Sequence, residues 1–319
     1  MKTNLSIGID IGGTNTVFGI VDEHGNCISE NSIRTDKYED VKEFIQVLSD
    51  EIKKLISQIK NDIEIKGIGI GAPNGNYFNG TVEFAPNLRW KGIINFAELF
   101  REHFEYPVIL TNDANAAAIG EMIYGTAKGL KDFIIITLGT GLGSGFVANG
   151  ELIYGHDGFA GELGHTIVFP DGRKCGCGRN GCLEQYASAT GIVKTVNEFI
   201  ASSDEDSLLR NFNPEEITSK LIHEAAMQGD NIAFEAFDFT GRILGLAIAN
   251  AVAITSPEAV ILFGGLALSG DYIFKPAKMY MEYYMLNIFK NKVKLLPSKI
   301  VGKNAAVLGA SALVWKTIE

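Results

Sequence analysis

The hydrophobic pattern at the start of the chain predicts strands that are joined by glycine-containing turns. Residues 5–11 and 16–21 alternate apolar and polar positions and are rich in β-branched side chains, and Gly12-Gly13-Thr14-Asn15 separates them. A second turn at 23–26 leads into a third such stretch near 27–34. This pattern predicts three antiparallel strands that open the chain.

The pattern then changes to that of a helix over residues 40–60. Apolar residues recur there at the spacing of one buried helical face: Val41, Phe44, Ile45, Leu48, Ile52, Leu55, Ile56 and Ile59. Further strands are predicted at 64–71, 107–110, 133–138, 258–263 and 292–300, and further helices at 114–124, 189–201, 214–228, 231–255 and 305–315. Loops are predicted at 72–76 and at 85–92, the latter with an exposed aromatic residue, Trp90.

The opening strand, glycine turn and strand recur in the middle of the chain. Residues 133–138 end at the turn 139–145, and a strand resumes at 146–148. An internal duplication is therefore predicted, with two similar lobes that each offer a glycine turn to one nucleotide bound between them. A third glycine pair, Gly264-Gly265, ends the strand predicted at 258–263. The spacing of the glycines in these turns does not fit Gly-x-Gly-x-x-Gly, and the Walker pattern does not occur in the chain.

Length and charge narrow the class of protein. The 319 residues suggest about two domains, and the apolar share of 46% is enough for packed cores. Because 28 basic groups stand against 38 acidic ones, the net charge of −10 disfavours a non-specific nucleic-acid surface. No basic stretch precedes an apolar run, and the longest apolar run, 244–254, is too short to span a bilayer. We expect a cytoplasmic protein with neither membrane nor nucleic-acid partner.

Three cysteines and a histidine have the spacing of metal ligands. Cys175, Cys177 and Cys182 lie within eight residues, and His165 precedes the first of them by ten. Four such ligands predict a closed tetrahedral zinc site, which has no open position for a catalytic water and is therefore structural. The alternative is a disulfide with a spare thiol, but only Cys27 lies outside the cluster and a cytosolic chain favours metal.

Two glutamates, Glu162 and Glu184, flank these predicted ligands. An ionised carboxylate only accepts hydrogen bonds and a sugar hydroxyl donates them, so acids fixed beside a rigid metal site could bind a polyol. The alternative is that both are ordinary solvated surface acids.

Candidate chemistry for phosphoryl transfer lies at two strand ends. Asp10 ends the first strand, where a carboxylate could hold a hydrated Mg²⁺ near phosphates, although an ordinary hairpin turn also explains it. The glycine turn that follows lets backbone amides approach an anion. Asn112 and Asp113 lie at a strand-to-helix junction, where Asp113 could act as the general base, as the helix cap, or as both.

Together these motifs resemble the ROK family (repressors, open reading frames, kinases), sugar kinases of the actin-like ATPase superfamily. The similarity covers nearly the whole chain. Its motifs are Asp10-Ile11-Gly12-Gly13-Thr14-Asn15, Asn112-Asp113-Ala114-Asn115-Ala116-Ala117, Leu138-Gly139-Thr140-Gly141-Leu142-Gly143, and Gly161-Glu162-Leu163-Gly164-His165 followed by Cys-x-Cys-Gly-x-x-Gly-Cys-x-Glu. The last of these motifs is very specific to the family.

The resemblance implies an α/β, two-lobed actin-like (ribonuclease H-like) ATPase fold with duplicated strand–turn–strand cores and a cleft between the lobes. The small lobe would be 1–118, with a C-terminal helix, 304–319, packed back on it. The large lobe would be 119–303 and would carry the zinc ligands.

The resemblance also implies ATP- and Mg²⁺-dependent phosphorylation of a hexose at its 6-hydroxyl, as in a glucokinase or hexokinase. Asp113 would be the general base. The sugar contacts would be Asn87, Asn112, Glu162, His165 and Glu184. ATP and Mg²⁺ would be bound by Asp10, Gly12, Gly13, Thr14, Asn15, Thr140, Gly141, Gly264 and Gly265. Structural Zn²⁺ would be bound by His165, Cys175, Cys177 and Cys182, and His165 would touch the sugar through its other ring nitrogen.

The chain departs from the family pattern at one turn. Gly71-Ala72-Pro73-Asn74 stands where family members usually carry Gly-x-Pro-Gly. Asn tolerates a positive φ better than most residues, so we expect the turn to survive, while the local sugar contact stays open.

Several functional alternatives accompany this interpretation. Glucose is the expected substrate, with mannose, N-acetylglucosamine and N-acetylmannosamine as alternatives. A sugar-sensing regulator would instead bind hexose without phosphorylating it and act through a partner protein. A purely structural zinc module does not explain the duplicated turns. The family's DNA-binding branch carries a helix-turn-helix before the first strand, and because four residues precede Leu5 a repressor is not expected. A homodimer is the family expectation.

Overall fold

The computed structural model describes residues 2–60, 62–300, 302 and 305–318. The strands are β1 (Thr3–Ile11), β2 (Asn15–Asp22), β3 (Cys27–Arg34), β4 (Ile63–Gly71), β5 (Gly75–Asn76), β6 (Thr81–Glu83), β7 (Ile93–Ile94), β8 (Val108–Thr111), β9 (Phe133–Leu138), β10 (Leu142–Ala148), β11 (Glu151–Leu152), β12 (Ala259–Phe263) and β13 (Lys294–Pro297). The helices are α1 (Val41–Ser57), α2 (Phe96–Arg101), α3 (Asp113–Ile123), α4 (Glu184–Ala187), α5 (Ala189–Ser202), α6 (Ser219–Met227), α7 (Asn231–Thr255), α8 (Asp271–Tyr284) and α9 (Ala305–Ile318). Both ends of the predicted helix 304–319 lie outside the described residues.

The chain divides into two compact units. Unit 1 comprises Met1–Leu130, Glu151–Ala160 and Ser298–Glu319, and unit 2 comprises Lys131–Gly150 and Gly161–Pro297. These units are defined by compactness alone, so the lobe boundaries predicted from the sequence stay a prediction.

The main sheet of unit 1 has the strand order β3-β2-β1-β4-β8. β1, β2 and β3 are antiparallel neighbours, as predicted, whereas β4 runs parallel to β1 and β8 runs parallel to β4. In this register Asp10 pairs with Gly71, and Gly71 pairs with Thr111. The carboxyl ends of three parallel strands therefore lie side by side.

Helices cover both faces of that sheet. α1 is capped by Asp40, whose side chain accepts a hydrogen bond from the Lys42 amide, and it buries its predicted apolar face. On the other face α9 lies directly on β1 and β4. A Cβ added to Gly8 would lie 2.1 Å from the Val307 carbonyl oxygen, and one added to Gly69 would lie 1.9 Å from that of Ala310. Only glycine permits this approach of helix backbone to strand backbone.

Unit 2 repeats the arrangement of unit 1. Its strands lie in the order β10-β9-β12-β13, with β9 and β10 antiparallel and β12 parallel to both β9 and β13. Each unit therefore consists of a hairpin followed by parallel strands, so the predicted duplication is confirmed.

Helix α7 is the longest element of unit 2. It is long and apolar enough to cross a membrane by length and composition alone, but 61% of its most apolar window is buried within the protein. Its buried side chains belong to the apolar core of unit 2, which is the packing of a core helix.

The structure corrects several details of the predicted elements. The predicted helix 214–228 begins only at Ser219, and the predicted loop 72–76 contains β5. Trp90, expected to be exposed, is buried between Phe44 and Phe96, with ring centroids 4.7 and 5.9 Å away. The short strands β6 and β7 and the helices α2 and α8 were not predicted.

Candidate active site

Two carboxylates of unit 1 lie at the ends of two parallel strands, β1 and β8, which are separated in the sheet by β4. Asp10 is the last but one residue of β1. Asp113 is the first residue of α3 and comes shortly after β8. Gly71 lies at the end of the strand between them, and a Cβ there would be 3.7 Å from Asp10 Oδ1 and 3.6 Å from Asp113 Cα. A longer side chain at residue 71 would therefore crowd both carboxylates.

The cap of helix α3 is Asn112, which leaves Asp113 in the first turn. Asn112 Oδ1 accepts a hydrogen bond from the Asn115 amide at 2.7 Å. Asp113 Oδ1 accepts one from the Ala114 amide at 2.8 Å, which fixes the orientation of its carboxylate. The capping role that was the alternative for Asp113 thus belongs to its neighbour.

Both acids have raised pKa values. Burial, and secondarily the charge of Asp113, raises the pKa of Asp10 from 3.8 to about 7. Burial also raises the pKa of Asp113, and this effect outweighs the hydrogen bond from the Ala114 amide, which lowers the pKa. The Asp113 side chain still reaches solvent. Adjacent carboxylates that are crowded by protein do not ionise independently. A carboxylate with a raised pKa is a better proton acceptor than one in water.

The glycine turn of unit 1 packs against the loop that carries Asn87. The Gly12 amide donates to the Asn15 carbonyl at 3.0 Å, and the Thr35 amide donates to the Thr14 carbonyl at 2.8 Å. A Cβ on Gly13 would lie 2.5 Å from the Asn87 carbonyl oxygen. The predicted nucleotide contacts of this turn and the predicted sugar contact Asn87 are therefore neighbours.

The glycine turn of unit 2 is tied to the start of helix α5. The Gly139 amide donates to the Gly141 carbonyl at 3.1 Å, and the Thr190 hydroxyl donates to the Thr140 carbonyl at 2.7 Å. A Cβ on Gly141 would lie 2.8 Å from Glu184 Oε2. The predicted nucleotide turn of this unit and the predicted sugar contact Glu184 are thus in contact as well.

The third predicted glycine pair shares a sheet edge with that turn. Gly264 follows β12, has a φ of +100°, and would place a Cβ 2.8 Å from the Leu138 carbonyl oxygen. Because β9 and β12 are parallel neighbours, the turns at Thr140-Gly141 and Gly264-Gly265 both follow strand ends at the same edge.

The predicted zinc ligands converge. One ligand atom from each of His165, Cys175, Cys177 and Cys182 lies within 4.8 Å of the others. Cys177 Sγ and Cys182 Sγ are 3.6 Å apart, and Cys175 Sγ is 3.8 Å from His165 Nδ1. Tetrahedral zinc with bonds of about 2.3 Å to sulfur has ligand edges of about 3.8 Å, so this donor set fits the ion.

The disulfide alternative is wrong. All four cysteines of the chain are free thiols. The 3.6 Å between Cys177 Sγ and Cys182 Sγ far exceeds a disulfide bond of about 2.05 Å.

The three thiols differ in acidity. Burial raises the pKa of Cys175 to about 12. Burial acts in the same sense on Cys177, but hydrogen bonds from Arg179 and from the neighbouring thiols outweigh it and lower the pKa of Cys177 to about 6. Cys177 therefore offers a thiolate near neutral pH, and thiolates are the form that binds metal.

Both glutamates lie at the metal-ligand cluster. His165 Nδ1 is 3.8 Å from Glu184 Oε1, and His165 Nε2 is 4.0 Å from Glu162 Oε2. Cys175 Sγ donates to Glu184 Oε1 at 2.9 Å. The histidine thus presents one ring nitrogen to the cysteines and the other to Glu162. The structure brings together the three sugar contacts that were predicted in this unit.

Sequence reasoning missed Arg173, which anchors the segment that carries the cysteines. Its guanidinium donates to the Gln185 and Gly191 carbonyls at 2.7 and 3.1 Å and to Thr195 Oγ1 at 2.9 Å. It also pairs with Glu198 at 2.6 Å. The available signal was an arginine two positions before Cys175, which by itself indicates nothing.

Comparison with known proteins shows to which family the chain belongs. The ROK family model matches residues 6–317 of the chain. The chain belongs to the ROK family. This ROK protein is 35% identical to a glucokinase of Halalkalibacterium halodurans, across 98% of this chain and 96% of that protein. It is also 31% identical to a xylose repressor of Caldicellulosiruptor bescii, across 97% of this chain and 77% of the repressor.

A solved structure gives the same result for the fold. The ROK family glucokinase from Streptomyces griseus, in complex with glucose and AMPPNP, matches this ROK protein with a TM-score of 0.82 and 32% identity, over 98% of this chain and 99% of that one. The predicted family and the predicted α/β, actin-like ATPase fold are therefore confirmed.

Proposed function

We propose that this ROK protein is a glucokinase that transfers the γ-phosphoryl group of ATP to the 6-hydroxyl of glucose. The observation that carries the proposal is the pair Asp10 and Asp113, two acids with raised pKa values at the ends of β1 and β8, on either side of β4. The whole-length similarity to curated glucokinases supports it.

Asp113 is the general base in this proposal. It takes the proton of the 6-hydroxyl as the hydroxyl oxygen bonds to the γ-phosphorus, and the bond from phosphorus to the bridging oxygen of ADP breaks. The hydrogen bond from the Ala114 amide holds one carboxylate oxygen, which orients the group for this transfer.

Five side chains are the proposed partners of the sugar hydroxyl groups. They are Asn87, Asn112, Glu162, His165 and Glu184. Carboxylates accept from the hydroxyls and amides both accept and donate, so this set can distinguish the orientation of each hydroxyl.

The nucleotide contacts are the glycine turns. The proposed set is Gly12, Gly13, Thr14, Asn15, Thr140, Gly141, Gly264 and Gly265. Asp10 would hold hydrated Mg²⁺, which when bound offsets the negative charge of the phosphates.

We also propose a structural Zn²⁺ site at His165, Cys175, Cys177 and Cys182. The converging donor atoms support it. With four protein ligands the ion supplies no nucleophile and serves to fix the segments that bear Glu162 and Glu184. We further propose a cytoplasmic homodimer, as the family kinship suggests.

A sugar-responsive regulator is the second candidate. The similarity to a xylose repressor favours it, since the two proteins are 31% identical over 317 aligned residues. Such a regulator would bind a hexose and act through a partner protein without consuming ATP.

A coupled assay of ADP release separates the two candidates. Folded, zinc-loaded protein should release ADP with glucose, and mannose, N-acetylglucosamine and N-acetylmannosamine form the comparison panel. Faster turnover on an N-acetylated sugar would replace glucokinase by a hexosamine kinase. Sugar binding by calorimetry without any ADP release would reject the kinase and leave the regulator.

A further inference from the structure

The loop that carries Asn87 is held by two side chains that no expected role accounts for. Asn74 Nδ2 donates to the Glu83 carbonyl at 3.0 Å and lies 3.5 Å from the Phe84 carbonyl. Lys91 Nζ donates to the Leu88, Pro86 and Ala85 carbonyls at 2.7, 3.2 and 3.4 Å. Five carbonyls between residues 83 and 88 therefore converge on one amide and one ammonium group.

These two side chains provide hydrogen-bond donors for the backbone carbonyl groups of the loop. Beyond Glu83, which ends β6, this loop is irregular and has no strand ladder to satisfy its carbonyl groups, so other donors must do so. An ammonium group has three N–H donors, and Lys91 directs them at three carbonyls as charge-assisted hydrogen bonds. The carbonyl that this set omits, that of Asn87, lies against Gly13, while the Asn87 residue is exposed to solvent.

The Asn74 contact lies at a strained point of the loop. Phe84 has a φ of +50°, which is unfavourable for a bulky residue, and it is 67% exposed, so side-chain packing gives little compensation. Its amide donates to the Gly92 carbonyl at 2.8 Å, and its carbonyl faces Asn74. Strain of this kind persists only where surrounding contacts hold it.

Asn74 also has a positive φ, +52°. A glycine would adopt this conformation as easily, but it has no side-chain donor. Asparagine at this position therefore supplies the turn and, in addition, a hydrogen bond across to the Asn87 loop.

We propose that Asn74 and Lys91 are positioning residues that hold the Asn87 loop ready for the sugar. The inference rests on the proposed sugar kinase function and on Asn87 as a sugar contact. Neither residue touches the reacting atoms. A loop that is already ordered loses less conformational entropy when the sugar binds. Removing the donor of Asn74 or Lys91 therefore weakens sugar binding and leaves the chemical step unchanged.

Three variants test the two donors. Asn74→Gly keeps the positive φ and removes the amide donor. Lys91→Met keeps the length of the side chain and removes the ammonium, and Lys91→Arg restores a charged donor. Lys54→Met is the matched control, since Lys54 is an exposed lysine that pairs with Glu51 on α1.

Asn74→Gly and Lys91→Met should each raise the glucose Kd, measured by calorimetry, and the glucose KM by about tenfold. The kcat and the KM for ATP should not change. Lys91→Arg should recover most of the affinity, and Lys54→Met should match the wild type. A variant that merely lost folded protein would lower the apparent kcat and leave the glucose Kd of its folded fraction unchanged.

Wild-type glucose affinity in both Asn74→Gly and Lys91→Met would overturn the inference, as would an equal rise in the KM for ATP. Should Lys91→Met fail to fold, Asn74→Gly decides alone. A wild type that binds glucose but releases no ADP would reject the proposed kinase while the calorimetric comparison still tests the loop. A wild type that binds no hexose would overturn both.

Discussion

Replacement of Asp10 by Asn should stabilise the protein at neutral and alkaline pH. The folded protein raises the pKa of Asp10 from 3.8 to about 7, so folding favours the protonated carboxyl. For a raised acid pKa, the stability is fully present below the unfolded value and is lost as the pH rises through the folded value. The wild type should therefore lose stability between about pH 4 and pH 7.

The size of the effect follows from the shift. A rise from 3.8 to about 7 corresponds to a loss of up to about 4 kcal/mol above pH 7, at about 1.4 kcal/mol per pKa unit. Asn has nearly the shape of Asp and never ionises, so the variant avoids this loss. Residual solvation of the half-buried Asp10 side chain makes 4 kcal/mol the upper limit.

Urea unfolding at pH 5, 6, 7 and 8, followed through the fluorescence of the two buried tryptophans, Trp90 and Trp315, measures the difference. The free energy of unfolding of Asp10→Asn should exceed that of the wild type by an amount that grows across this series. The exposed Asp204→Asn variant is the control and should show a constant offset. Parallel curves for Asp10→Asn and the wild type, or a gap that widens towards acid pH, would refute the electrostatic argument. The stabilised variant should nevertheless lose kinase activity, because the same carboxylate is proposed to hold Mg²⁺.

The remaining predictions concern the base, the metal and one glycine. Asp113→Asn should lower kcat by about 10²–10⁴-fold, the usual contribution of a general base, with the glucose Kd from calorimetry unchanged; an active variant would exclude the role. Metal analysis should find about one zinc per chain, as one tetrahedral site requires, and Cys177→Ser should lower the zinc content, the melting temperature and the glucose affinity together. Gly141→Ala should displace the Glu184 carboxylate and raise the glucose KM, whereas Gly139→Ala, which meets no atom within 4 Å, should behave as the wild type; equal behaviour of the two would argue against the contact.

The parts of the fold that the sequence predicts well are those with a strong local signal. The hairpins around the turns 12–13 and 139–141 follow from alternation and glycine turns, and α7 follows from a long, mostly apolar stretch. The zinc-ligand cluster follows from ligand type and spacing.

The parts that could not be predicted depend on contacts between distant residues. Trp90 lies in a stretch without periodicity, so its burial against Phe44 had no local signal. Helix α8 contains Pro276, which normally ends a helix, and it is sustained by packing against α7 at Gly241.

The site shows the same division. The identity of each acid and its position at a strand end could be predicted from the sequence. The contact of Gly141 with Glu184 could not, because it depends on how two segments pack. The hydrogen bonds of Asn74 and Lys91 to the Asn87 loop have no sequence signature, because any backbone carbonyl can accept them.

The direct contact of α9 with β1 and β4 has a consequence for biosynthesis. The helix begins at Ala305, whereas the strands that it covers lie within the first seventy-one residues. A ribosome therefore releases the whole of unit 2 before the N-terminal sheet receives its last covering helix. Until α9 has been synthesised, the strand surface at Gly8 and Gly69 stays open to contact with other chains, so this part of the nascent protein is exposed to aggregation.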